Sequence, residues 1–214
     1  GKLNSRKSKG YVRDVFQQNH MNNLQGNLGI GHVRYPTAGG IGKEFAQPMY
    51  VNTPYGISLA HNGNLTNSKK LAAELFHAER RHINTDSDSE VLLNIFALEL
   101  SKQEAVFPKP KDFFSAVEKT HLRINGAYAV AALITGYGIL AFRDPLGIRP
   151  LSIGIRKGKI RNEYVVSSET ALFSSTGFKF LRDVEPGEAV FIDNAGKIFT
   201  QQCSTSSQKR PCIF

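Results

Sequence analysis

The chain has no tryptophan, only two methionines and two cysteines, and no apolar run long enough to cross a bilayer. Its first residues also lack the charged start, apolar stretch and small-residue cleavage site of a signal peptide. A soluble, cytoplasmic protein is the expectation. Both cysteines, Cys203 and Cys212, lie near the far end without framework or metal-ligand spacing. They are expected to be free thiols in a reducing compartment, with no metal or iron–sulfur cluster held by these residues. Acid is scarce as well: 18 Asp and Glu against 27 Lys and Arg leave a net charge of +9. Such a surplus attracts polyanions, but no recognition-helix pattern, zinc spacing or aromatic RNA-binding signature accompanies it. No specific nucleic-acid partner is expected.

What is present is enough for one globular core, since 41% of the 214 residues are hydrophobic. Apolar spacing predicts a short helix over 12–24 and a strand over 27–35. Three glycines in 37–44 interrupt the pattern with a loop. Strands follow over 48–51 and 56–60, joined by a turn at 52–55. Asn67 is placed to cap a helix over 68–79, and Ser87 with Glu90 three residues on has the form of a capping box. The stretch 91–100 is apolar nearly all round, which predicts a buried helix. Pro108 and Pro110 precede a further helix over 112–122 that turns Phe113, Phe114 and Val117 inward. Strand-like segments then run over 127–134, 138–142, 151–155, 164–167, 188–192 and 197–200, so the class is α+β.

The candidate chemistry centres on Asn62-Gly63, where an apolar run meets a polar one. An Asn carboxamide and a Gly backbone N–H can converge on one point, as a developing oxyanion requires. The same dipeptide is equally a hairpin-turn signal. Two more blocks share this half of the chain: Gly31-His32-Val33-Arg34-Tyr35-Pro36-Thr37-Ala38-Gly39 and Asn84-Thr85-Asp86-Ser87-Asp88-Ser89-Glu90. Arg34 has the forked geometry that grips a carboxylate, and Asp88 could accept from an ammonium. Each has a plainer alternative, a surface ion pair for Arg34 and a helix-start carboxylate for Asp88. His32 and His61 fit best as structural strand histidines.

These blocks, with Phe142-Arg143-Asp144-Pro145-Leu146-Gly147-Ile148-Arg149-Pro150-Leu151, Ser167-Ser168-Glu169 and Arg182-Asp183-Val184-Glu185-Pro186-Gly187-Glu188, resemble the glutaminase domain of the class II glutamine amidotransferases. The resemblance is strongest to the purine-synthesis branch and runs from about Gly10 to Phe214. It implies an αββα sandwich of the N-terminal nucleophile hydrolase type, two antiparallel sheets between helical layers, with 1–214 as one domain.

The resemblance also implies roles. Asn62 and Gly63 would form the oxyanion hole. Arg34, Asp88 and Thr37 would bind glutamine, and Tyr35, Gly39, Gly40 and Gly42 would belong to a loop closing over it. The cysteine that opens such domains in the family, and a His-Arg-Gly-Gln stretch some tens of residues later, have no counterpart here. Pro211-Cys212-Ile213-Phe214 resembles the start of a segment leading into a phosphoribosyltransferase domain. Both ends therefore look cut. The αββα fold is expected to be incomplete at the N-terminus, and the isolated chain inactive and aggregation-prone. Expected partners are glutamine and the phosphoribosyltransferase domain of a parent chain that forms a homo-oligomer. No cofactor is expected in this chain, and Mg2+ is expected in that other domain. The alternatives are a glutaminase serving hexosamine-phosphate or asparagine synthesis, or a non-catalytic glutamine-binding module. Many relatives carry Asn where this chain has Leu146, and the surrounding stretch fits a turn that fixes two strands.

Overall fold

The fold was obtained as a computed structural model, which describes residues 2–34, 42–205 and 209–210. Two short helices, α1 (Val12–Val15) and α2 (Gln18–Asn23), precede a 3-10 turn at Lys43–Phe45. There follow β1 (Met49–Val51), β2 (Ile57–Leu65), α3 (Ser68–His77), α4 (Asp88–Ser101), α5 (Pro110–Arg123), β3 (Gly126–Ile134) and β4 (Gly138–Arg143). The remainder is β5 (Ser152–Lys157), β6 (Asn162–Ser167), α6 (Ala171–Ser175), β7 (Lys179–Asp183), β8 (Glu188–Asp193) and β9 (Ile198–Gln202). Among the described residues the strands form two antiparallel sheets, ordered β1-β2-β3-β4-β8-β9 and β6-β5-β7.

Strand alternation sorts the side chains of the larger sheet onto two cores. Ile57, Leu59, Leu65, Tyr128, Val130, Ala132, Leu140, Phe142, Ala189 and Phe191 face the helices, where they meet Leu92, Phe96, Phe113 and Val117. The intervening Ala129, Ala141, Val190 and Ile192 face the smaller sheet and meet Leu151, Ile153 and Val184. The alanines let the two sheets approach closely. Beyond the smaller sheet α6 buries Phe173, and a Cβ on Gly154 of β5 would come within 2.9 Å of that ring. The order is thus helices α3 to α5, large sheet, small sheet, α6: the expected αββα sandwich, with a thin last layer.

The buried helix is α4, whose residues from Val91 to Leu100 are all inaccessible, and α5 places Phe113, Phe114 and Val117 inward as expected. Pro110 occupies its first turn, where a missing N–H costs nothing, and the Lys109 N–H is taken by Asp112 Oδ2 at 2.7 Å.

Several local expectations fail for identifiable reasons. The helix over 12–24 is broken because Gln17 becomes a fresh N-cap, its N–H bonded to His20 Nδ1 at 3.3 Å. Residues 27–34 form no strand, since no ladder partner lies beside them among the described residues. Neither proposed helix cap closes. Asn67 instead ties Arg123 O and Asn125 N at 2.9 and 3.0 Å. Glu90 binds back to the Asn84 and Thr85 amides, at 2.8 Å each, rather than to Ser87. Asn62-Gly63 is not a hairpin turn, because β2 continues through it to Leu65. Finally, β7 and α6 had no sequence counterpart.

Candidate functional site

The end of β2 beyond the short β1 is an edge whose backbone groups must find other partners. At His61 a side chain does this work: Gln47 accepts the His61 N–H at 2.7 Å and donates to its carbonyl at 3.3 Å, so an amide side chain extends the ladder. At Leu65 the partner is Asp88, whose Oδ2 accepts the Leu65 N–H at 3.0 Å from the first turn of α4. The two-residue alternation of a strand puts the Gly63 N–H on this same edge, between the positions filled by Gln47 and Asp88.

Gly63 is required there on steric grounds. Its φ is +141°, and a Cβ would lie 1.9 Å from the Ala127 carbonyl oxygen of β3. Residues 63 and 64 are exposed and Asn62 is half-buried. The Asn62 side chain points to the opposite face, where Nδ2 donates to Ser168 Oγ at 3.1 Å.

The approach to this edge is cationic and histidine-rich. The Arg34 guanidinium lies over the Phe45 ring, 5.5 Å from its centroid, and Phe45 is two residues before the Gln47 clamp. His61 is buried beside Asn62, with Nδ1 2.9 Å from Ser89 Oγ on α4. Burial pulls the His61 pKa down to about 4; the Asp88 charge pulls the other way, while His32 and Arg149 add to the depression. Burial, then Arg34, likewise lowers His32. These couplings bring Asp88, His61, His32 and Arg34 into one electrostatic neighbourhood. The edge is polar but holds neutral imidazoles.

The loop after β4 is a rigid support. Arg143 donates to the carbonyls of Arg149, Val184 and Gly147 at 2.6, 2.8 and 2.6 Å. The buried Asp144 carboxylate accepts from the amides of Leu146, Ile148, Arg149 and Tyr128. The turn expected in this stretch is therefore present, and Leu146 contributes through its backbone. Cys203 is buried at 5% exposure, with Sγ 3.6 Å from the Phe114 carbonyl, and burial pushes its thiol up to about 12. It is a core residue with no nucleophilic character at neutral pH.

A family model described as the glutamine amidotransferase domain matches residues 41–175, more than half of the chain. The chain belongs to the glutamine amidotransferase domain family. It is 54% identical over 213 residues to an amidophosphoribosyltransferase of Pseudomonas aeruginosa, covering 100% of this chain and 42% of that protein. The corresponding enzyme of Escherichia coli is 54% identical over 210 residues, covering 98% of the chain and 42% of the relative. A solved structure of glutamine phosphoribosylpyrophosphate amidotransferase from B. subtilis, complexed with ADP and GMP, superposes with a TM-score of 0.81 at 32% identity, over 99% of this chain and 42% of that one. The chain thus spans about two fifths of the length of the relatives it matches.

Within this glutamine amidotransferase domain, Asn62, Gly63 and Asp88 lie at one end of β2, and Arg34 stacks on Phe45, two residues before the Gln47 that bonds His61. Gly42 is the residue before the 3-10 turn. Tyr35, Thr37, Gly39 and Gly40 lie outside the described residues. Among the described residues no cluster of metal-ligating side chains occurs, and no helix is long and apolar enough to cross a membrane. Gln47, Ser89 and Ser168 carry contacts at the site that the sequence did not assign. Each acts through a partner 14, 28 or 106 residues away, which periodicity does not register.

Proposed function

We propose that residues 1–214 form the glutamine-hydrolysing domain of a longer amidophosphoribosyltransferase, in which released ammonia displaces pyrophosphate from phosphoribosyl pyrophosphate. The observation that carries this is the end of β2, where exposed Gly63 lies between two filled ladder positions and the adjacent Asn62 carboxamide projects from the sheet toward Ser168. Hydrolysis of the glutamine side chain needs a nucleophile at the carbonyl carbon and donors for the oxygen as it gains charge. The Asn62 NH2 and the Gly63 N–H are those donors. Arg34 takes the α-carboxylate of glutamine and the Asp88 carboxylate its α-ammonium. Thr37 adds a substrate contact, and the loop with Tyr35, Gly39, Gly40 and Gly42 closes over the ligand and excludes water.

The attacking thiolate comes from outside the described residues, because Cys203 is buried and held protonated. The high identity to amidophosphoribosyltransferases supports phosphoribosyl pyrophosphate as the ammonia acceptor. Mg2+ would serve the phosphoribosyltransferase domain of the longer, homo-oligomeric protein rather than this domain.

Ammonia release from glutamine by the longer protein tests the assignment. Asn62→Ala should lower kcat by roughly 10²- to 10³-fold, with KM little changed. Arg34→Ala and Asp88→Asn should instead raise KM for glutamine. The second variant keeps an acceptor for the Leu65 N–H and removes only the charge. A wild-type kcat in Asn62→Ala would sink the proposal.

A further inference from the structure

A carboxamide has no strong torsional preference of its own, since its last χ is broad and nearly two-fold. Asn62 could therefore present either NH2 or C=O to a substrate oxygen, and only the first stabilises negative charge. In this structure the first is held by Ser168, whose Oγ accepts from Asn62 Nδ2 at 3.1 Å. Ser168 belongs to the smaller sheet's side of the sandwich, 106 residues along the chain. Its place is fixed: Ser167 pairs with Ser152 in the β5–β6 ladder, Ser167 Oγ accepts the Glu169 N–H at 3.1 Å, and the neighbouring Ile153 is wholly buried between the sheets.

We infer that Ser168 is a positioning residue for the oxyanion donor: its hydroxyl takes one hydrogen of the Asn62 NH2 and so fixes the direction of the other. This rests on the glutaminase assignment above. The planar NH2 makes the two hydrogens a unit, so holding one sets the second about 120° away. Ser168 touches no reacting atom, and its whole effect passes through Asn62.

The test is a double-mutant cycle in the longer protein, read as ammonia release from glutamine. Ser168→Ala should lower kcat about tenfold, the worth of one oriented hydrogen bond, and leave KM for glutamine unchanged. In an Asn62→Ala background the same substitution should have no further effect on kcat, and Ser168→Thr, which keeps the hydroxyl, should restore most of the rate. Should Ser168→Ala melt early, Ser168→Cys, which keeps the size of the side chain and replaces the hydroxyl by a weak acceptor, supplies the comparison. An unchanged kcat in Ser168→Ala, or an equal fold-loss with and without Asn62, would overturn the inference and leave the glutaminase assignment standing. A wild-type kcat in Asn62→Ala would remove both.

Discussion

Gly63 shows how tightly one residue can be specified. Its φ of +141° and the 1.9 Å approach of a would-be Cβ to the Ala127 carbonyl leave no room for a side chain. Gly63→Ala is expected to lose at least about 1–3 kcal/mol from backbone strain alone. Urea denaturation should show this as a lower midpoint, and activity should fall because the N–H is displaced from the strand edge. An unchanged midpoint would mean that β2 and β3 separate there without cost. The sequence exposed this position through the Asn62-Gly63 pair but offered hairpin and oxyanion chemistry together, and the continuation of β2 to Leu65 rules out the hairpin. Asp88 was similarly half-legible. Its carboxylate stands at a helix start, as the sequence suggested, and also accepts the Leu65 N–H, a partner 23 residues away that residue type does not reveal.

At the scale of elements, the helices were legible because burial and period agree: α4 is apolar all round and α5 has one apolar face. Their mutual fixing was not legible. Arg123 at the end of α5 reaches Glu99 on α4 at 2.6 Å and also pairs with Glu74 on α3, so one guanidinium clasps three helices. The Glu99 side chain is only 6% exposed. Arg123→Ala should therefore cost about 2–3 kcal/mol, because it strips charge-assisted hydrogen bonds from a nearly buried carboxylate. Chemical denaturation measures this directly, and Glu99→Gln in the same background should recover part of the loss. The strand β7 escaped notice because four of its five residues are exposed, so no alternation of apolar and polar marks it. The two caps failed for different reasons: Asn67 bonds across the fold to Arg123 and Asn125, whereas Glu90 binds the Asn84 and Thr85 amides in the loop just ahead of its own helix.

For the molecule as a whole, the buried His61 and the half-buried His121 set a dependence on acidity. His121, held against Tyr128 at 2.7 Å, and His61 are both lowered by burial from the ordinary 6.5 to about 4. Because the folded values lie below the unfolded one, the unfolded chain binds more protons between these limits. The contribution is complete above pH 6.5 and is lost as the pH falls toward 4. For His121 this amounts to about 3 kcal/mol. Urea midpoints measured from pH 7 down to 4.5 should decline, and His121→Leu combined with Tyr128→Phe should flatten the decline. The α+β class was readable from strand and helix periodicity, and the motif blocks pointed to the family and, through it, to the layered sandwich. The packing between the sheets was not readable, since it brings Ala129 and Ala141 into one cluster with Leu151, Ile153 and Val184 from later in the chain.

The clamp that Gln47 and Asp88 form along β2 has a further consequence. A bare sheet edge is a template for any passing strand, and proteins with such edges tend to stick to their own copies. Here one amide side chain and one carboxylate block the row on either side of Gly63. The stretch that remains between them is a single residue long, too short for an intruding peptide to pair with. The Gln47 and Asp88 side chains thus shield this stretch of β2 against the addition of a strand.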